Sequence, residues 1–118
     1  MAAPNIVNVT SIIGKTVTQA VGVSPTAIIT NSAASGLVLK VNALSISNIS
    51  SAAADITVDF YRSSTAYHIA NTISIPQDAT LVAIAKDTAI YLEEGDSIRC
   101  TASVAAALEA VCSYEEIG

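Results

Sequence analysis

The sequence predicts an all-β fold, namely an antiparallel β-sandwich of jelly-roll-like or immunoglobulin-like topology with an extended N-terminal arm. Apolar and polar residues alternate with the period of two that is typical of half-buried strands. Short runs of Gly, Pro, Ser and Asn separate these stretches, as turns do. The alanine-rich residues 104–109 are too few, without a cap, to favour a helix. The order of the strands depends on long-range pairing, so both topologies stay open.

Length and charge limit the class of protein. The chain has 118 residues and a mass of 12.0 kDa, which suits a single domain. Its five Lys and Arg against ten Asp and Glu exclude a nucleic-acid partner and an anionic membrane surface. Charged residues make up only 13%, whereas soluble surfaces carry about 25–35%. Either Ser, Thr and Asn cover the surface, or other subunits hide part of it, and the many aliphatic residues favour the second explanation.

Neither an export signal nor a membrane span is predicted. The first four residues carry no basic region, and polar residues separate Ile6, Val7 and Val9. No run approaches the roughly 18 apolar residues of a spanning helix. We therefore expect the chain to fold in a cytoplasm.

The N-terminal third predicts three short strands. Residues 5–13 form a weak strand that ends at Gly14, so that residues 1–13 are an N-terminal arm or edge strand and residues 14–118 the sandwich domain. Residues 15–23 and 26–31 are two further extended runs. Only small and polar residues fill positions 31–36, which predicts a loop.

Residues 37–49 form the longest extended segment, and its alternation changes phase. Apolar residues hold odd positions up to Val41 and even positions from Leu44 onward. This switch predicts a β-bulge, or a strand that passes between sheets, near residues 42–43.

The clearest pattern is a hairpin over residues 55–75. Its two strands, with a four-residue link at 63–66, place their apolar residues on one face. Asn71 falls on that inward face, and a satisfied backbone contact or a strand bending to solvent explains it better than a ligand site. The predicted opposite pairs are Arg62 with Tyr67, Phe60 with Ile69, Val58 with Asn71 and Ile56 with Ile73.

A second hairpin is predicted near the C-terminus. After a turn at residues 76–78, the apolar run 80–85 is an inner strand covered on both faces or an interface strand. A short strand at 89–92 and a turn at 93–96, with Gly95 at positive φ, follow. The predicted pairs of the second hairpin are Val104 with Leu108, Ala102 with Ala110 and Cys100 with Cys112.

Few residues have catalytic or ligand-binding potential. Cys100 and Cys112 are expected to be buried free thiols, since directly opposed cysteines strain a disulfide and two ligands are too few for zinc. His68, the only histidine, faces outward, away from both cysteines. We predict no catalytic, cofactor-binding or metal-binding residue, and therefore no enzyme.

Two surface features remain as weaker candidates. Glu93, Glu94 and Asp96 form an acidic turn without the spacing of a calcium loop, so a solvated turn is favoured over a calcium site. Tyr61 and Tyr91 fall outward by parity and make a thin platform for a glycan.

Four stretches resemble a known family: VDFYRSS at 58–64, IANTISIP at 69–76, YLEEGDSI at 91–98 and SYEEI at 113–117. They are similar to small virion structural proteins of tailed bacteriophages, particularly those of marine bacteria and cyanobacteria. The resemblance covers most of residues 55–117. It implies a β-sandwich subunit present in many copies, as a capsid decoration or cement protein or at the neck or tail. It carries no active site.

The expected function is that of a homo-oligomeric, trimeric virion protein that stabilises the capsid. Its partners would be other copies of itself and the major capsid protein, and its N-terminal arm would pair with a neighbour. One alternative is a neck or tail component. A glycan-binding module would need Tyr61 and Tyr91 in one groove, and a small hydrolase would need His68 beside an acid or nucleophile.

Overall fold

A computed structural model describes residues 4–118 and confirms the all-β prediction. Apart from one turn of 3-10 helix at Lys86–Thr88, the regular elements of this part are strands. Their bounds are β1 Ile12–Ala20, β2 Thr26–Thr30, β3 Val38–Asn48, β4 Ala54–Arg62, β5 Thr65–Ile75, β6 Thr80–Ile84, β7 Ile90–Leu92, β8 Ser97–Ala102 and β9 Leu108–Ile117.

The strands form two antiparallel sheets with jelly-roll topology. Sheet I has the order β1-β9-β3-β6, with β7 pairing β3 beside β6, and sheet II has the order β2-β8-β4-β5. If the chain is folded in half at the β4–β5 turn, β3 meets β6 and β7, β2 meets β8, and β1 meets β9. The fold is thus one long hairpin, rolled so that successive strand pairs alternate between the sheets. This arrangement is a jelly roll rather than an immunoglobulin-like sandwich.

The core lies between the two sheets and confirms the phase change in β3. The pairing of β3 with β9 shifts between Val41 and Ala43, which leaves Asn42 as an extra residue. Val41 and Leu44 can therefore both point inward, and both are fully buried. Each such side chain contributes roughly 1.5–3 kcal/mol by leaving water.

The central hairpin exists, but its predicted register was wrong at the turn. The link has two residues, Ser63 and Ser64, both with positive φ (52° and 60°) as in a type I′ turn. Arg62 therefore lies opposite Thr65, and Phe60 opposite Tyr67. Two register shifts between residues 56 and 59 then restore the predicted pairing of Ile56 with Ile73, whereas Val58 faces Ala70 instead of Asn71.

The burial predicted for β5 was also wrong in most positions. Tyr67 is 58% exposed and Ile73 is 41% exposed, although their partners on β4 face the core. The reason is that β5 is an edge strand that is fully covered only at its end, where Ile75 is buried, whereas Ile69 and Ala70 pack partly against the core. Asn71 is exposed and lies where the register of β5 shifts, so the predicted inward position of Asn71 was wrong.

The predicted C-terminal hairpin does not form. β8 pairs with β2 and β4 in sheet II, whereas β9 pairs with β1 and β3 in sheet I. The alternation correctly identified the inward face, but two strands that share the core across a sandwich show the same pattern as two paired strands. The pairs Val104–Leu108, Ala102–Ala110 and Cys100–Cys112 are therefore absent from the sheets.

Two predictions about edge strands need correction. Gly14 lies inside β1, which is an edge strand of sheet I, so the predicted break at Gly14 was wrong. Residues 5–11 form turns, and the N–H groups of Thr10 and Ser11 donate to the carbonyl of Gly118 at 3.2 and 2.9 Å. β6 is not an inner strand covered on both faces, because it lies at the other edge of sheet I and leaves Val82 61% exposed.

Candidate functional site

The acidic turn between β7 and β8 is held by an arginine from the end of β4. Arg62 donates from Nε to Asp96 Oδ1 at 2.8 Å and from Nη2 to Asp96 Oδ2 at 2.5 Å. The same Nη2 donates to Glu93 Oε2 at 2.8 Å. Gly95 has φ of 90°, as predicted for this turn. The fork of the guanidinium thus clamps the turn to the β4–β5 hairpin.

The carboxylate of Asp96 is bound by groups of the protein itself. Burial raises the pKa of this carboxyl, but the hydrogen bonds from Arg62 and from the N–H of Glu93 outweigh it and hold the pKa below its usual range. The hydrogen bond to Asp96 in turn raises the pKa of Arg62. The prediction of a fully solvated turn was wrong for Asp96, which is 2% exposed. No group of three or more metal-ligating side chains exists among residues 4–118.

A buried asparagine that sequence reasoning missed joins this turn to the 31–36 loop. Asn31 is 1% exposed, and its Nδ2 donates to the carbonyls of Leu37 and Leu92, both at 2.9 Å. Its Oδ1 accepts from the Ser35 hydroxyl, and Glu94 Oε2 accepts from the N–H of Gly36. In the sequence, the feature that could have indicated this buried role is an asparagine directly after an apolar strand. These bonds stabilise the loops at this end of the sandwich.

His68 lies outward, as predicted, and beside an acid. It is opposite Asp59 in the β4–β5 pairing, and its Nδ1 is hydrogen-bonded to Asp59 Oδ1. The His68 side chain is 51% exposed, whereas that of Asp59 is 6% exposed. Within the described chain His68 hydrogen-bonds to no hydroxyl or thiol. The pair therefore meets one requirement of the hydrolase hypothesis and lacks the nucleophile.

Arg99 and Tyr61 extend this polar row across the outer face of sheet II. Arg99 lies opposite Asp59, and its guanidinium stacks 3.8 Å from the centre of the Tyr61 ring. The arginine covers one face of this tyrosine. Tyr91 is on the outer face of sheet I, opposite Lys40. The two tyrosines thus lie on opposite sides of the sandwich and do not form a common glycan groove.

The two cysteines are free and buried, as predicted. They face the same core from different sheets. Burial raises the pKa of Cys100 to about 12 and that of Cys112 to about 11. Thiols that are neither ionised nor accessible make poor nucleophiles.

The exposed apolar side chains lie mainly at strand edges and near the N-terminus. On the outer face of sheet I, hydroxyl groups alternate with valines, as in the row Thr18, Val111, Ser45 and Val82. The surface therefore has features that match both explanations of the low charge content: hydroxyl side chains, and apolar side chains that other subunits would cover. The exposed apolar residues at the edges and in the N-terminal segment are Ile6, Val7, Ile12, Ile13, Tyr67, Ile73 and Val82.

These features define a small jelly-roll sandwich with structural polar clusters and open edges. No protein-family model matches the chain, and no curated protein matches it. One solved structure, described as showing that "Bacillus endospore appendages form a novel family of disulfide-linked pili", contains a chain with a similar fold. The TM-score is 0.53 at 12% identity, over 91% of this chain and 88% of that chain. Such low identity shows the fold alone.

A helix that crosses a membrane needs about 20 mainly apolar residues. None of the helical structure in residues 4–118 is long and apolar enough to cross a membrane.

Proposed function

We propose that the chain is a non-enzymatic virion structural protein of a tailed bacteriophage. In this proposal it folds in the host cytoplasm, forms a homotrimer and binds the outer capsid as a decoration or cement protein. Its partners are other copies of itself and the major capsid protein, with no role for nucleic acid or membrane. The family resemblance of residues 55–117 supports this assignment, and the surface of the molecule supplies the physical argument.

The observation that carries the proposal is apolar exposure on a surface with few charges. The chain exposes 6185 Å² and carries fifteen ionised side chains, about one for every 400 Å². Val7 is 90% exposed and Tyr67 58% exposed. Burying such side chains between subunits removes apolar area from water at roughly 25 cal/mol per Å². Depletion of charge together with exposed apolar groups is typical of surfaces that associate.

The fold is compatible with this role. Jelly rolls occur in viral capsid and lectin domains. The pili of the similar solved structure are another use of this fold in an assembly. The disulfide linkage of those pili is not transferred, since both cysteines here are buried and free.

Two measurements test the proposal. Light scattering of the purified protein should give three times the 12.0 kDa of one chain, about 36 kDa, and a mass of 12 kDa at all concentrations would contradict self-association. Undecorated phage capsids mixed with the protein should then retain it in a pull-down. An oligomer that fails to bind capsids would contradict the cement role. Imaging of labelled particles would separate a neck or tail position by copy number.

A further inference from the structure

One lateral side of the sandwich is left open, between β5 of sheet II and β6 and β7 of sheet I. Tyr67 lies opposite Phe60, and Ile73 opposite the fully buried Ile56, so both side chains belong to the inner face. They are nevertheless 58% and 41% exposed. The apolar residues that pack only partly against the core in these strands and in β4 are Phe60, Ile69, Ala70, Leu81, Ala83 and Ile90.

The backbone of β5 is also unpaired on this side. β5 pairs only with β4, so its second edge has free N–H and C=O groups. Edge strands are usually protected by charged side chains, prolines or bulges. Thr65–Ile75 contains no Asp, Glu, Lys, Arg or Pro, and its bulges affect only the part beyond residue 68. The regular stretch next to the turn is therefore the accessible part of this edge.

The N-terminal segment has the chemistry that would fill this side. Residues 5–11 carry no ionised group, and Ile6 and Val7 are 49% and 90% exposed. Turn hydrogen bonds hold the segment: the N–H groups of Val7 and Asn8 donate to the side chain and the carbonyl of Asn5, each at 3.0 Å. None of its residues packs in the core. Thr10 and Ser11 are hydrogen-bonded to Gly118, so residues 5–9 are the part that can extend. In extended form these five residues span about 17 Å, enough to cover residues 65–69.

We propose that residues 5–9 of one copy add as an extended strand to the free edge of β5 in a second copy. This inference rests on the self-association proposed above and names the two surfaces that meet. Val7 of the donor would cover Tyr67 of the acceptor, and backbone hydrogen bonds would satisfy the open edge. Donor and acceptor surfaces differ, so the contact is head-to-tail and closes into a ring, such as a trimer, or continues as a filament.

The arrangement of the strands favours a second copy over the same chain. β1, from which the segment emerges, and β5 lie at opposite lateral sides of the sandwich. A route around the outside of the sandwich adds three strand spacings of about 4.8 Å to the roughly 10 Å between the sheets, about 24 Å of chain. That distance exceeds the reach of residues 5–9, so these residues cannot pair with β5 of their own chain.

Cross-linking of mixed variants tests the contact. Val7→Cys protein is mixed with Tyr67→Cys protein and treated with a short bis-maleimide, and the linked peptides are quantified by mass spectrometry. The matched control is Val82→Cys, which is similarly exposed at 61% but lies on the outer face of sheet I. Wild-type protein is the blank, because Cys100 and Cys112 are buried.

The expected result is at least fivefold more linkage of position 7 to position 67 than to position 82, in a product of about twice 12.0 kDa. Equal yields for both pairs, or no linkage while light scattering reports an oligomer, would overturn the strand addition and leave self-association standing. A 12 kDa particle at all concentrations would instead overturn self-association and the inference with it.

Discussion

Replacing Arg62 by methionine should cost far more stability than its position near the surface suggests. Methionine keeps an apolar stem near the Phe60 ring, 4.9 Å from the guanidinium in the native protein, but removes the fork on Asp96. The Asp96 side chain is only 3% exposed, so its carboxylate would stay buried without its cation. Breaking a buried pair in this way costs about 3–5 kcal/mol. Because the Arg62 side chain is 43% exposed and the N–H of Glu93 still donates, we expect the lower end, about 3 kcal/mol.

The assay is urea unfolding followed by circular dichroism, with every variant at the same protein concentration because self-association makes the apparent stability depend on concentration. The matched control is Lys15→Met, which breaks the pair of Lys15 with Glu116 at 3.1 Å. The side chains of this pair are 46% and 26% exposed, so the loss should stay under about 1 kcal/mol. Asp96→Asn combined with Arg62→Met should recover part of the stability, because no buried charge remains. Equal losses for Arg62→Met and Lys15→Met would refute the reasoning.

The pH dependence of the free energy of unfolding of the same variants checks whether the pair stabilises the fold through the ionised form of Asp96. The pKa of Asp96 is lowered in the folded protein, so the unfolded chain takes up the proton first as the pH falls. The contribution of the pair is therefore present at neutral pH and is lost as the pH drops through the folded pKa. In Arg62→Met this acid-dependent loss should be smaller, since less of it is present at neutral pH.

Two further predictions concern the core thiols and the central turn. The pKa values of about 12 for Cys100 and about 11 for Cys112 lie above the ordinary value of 9.0. The unfolded chain therefore loses these protons first, and stability should fall above pH 9 by up to about 1.4 kcal/mol per pH unit for each thiol. Urea titrations at pH 8 and pH 10 measure this slope, which Cys112→Ala should reduce. Ser63→Asn with Ser64→Gly supplies residues that accept positive φ at both positions of the type I′ turn, and should raise the melting temperature by a few degrees. An unchanged or lower value in a thermal melt would argue against this turn type.

The sequence predicted which face of a strand points to the core better than it predicted which strands pair with each other. The parity switch between Val41 and Leu44 located the bulge in β3, because only one extra residue brings both side chains inward. The same alternation could not show that Cys100 and Cys112 face each other across the core from different sheets, since alternation defines a face and not a partner. The two-residue turn was missed because serines, unlike Asn-Gly, give no sign of positive φ.

The polar clusters could not be predicted from the sequence for a related reason. Arg62 and Asp96 are far apart in sequence, and only the jelly-roll connection brings the ends of β4 and β8 together. Asp59 and His68 depend on the register of the hairpin, which a four-residue link would have shifted. The sequence shows that each acid is present, but the topology determines which residue it binds.

The two lateral sides of the sandwich carry the physical argument for the proposed partner. A rolled hairpin leaves two lateral sides, one between β1 and β2 and one between β5 and the strands β6 and β7. On the first side Gln19 Nε2 donates to the carbonyl of Ala27 at 3.0 Å, and Val21 is 2% exposed. On the second side Tyr67 remains 58% exposed although it faces inward. On the first side Ile12 of β1, opposite the buried Ile117, is likewise 57% exposed, so the chain closes neither side completely with its own residues. Inward-facing apolar side chains that stay exposed at both sides support the proposal that another chain completes the core.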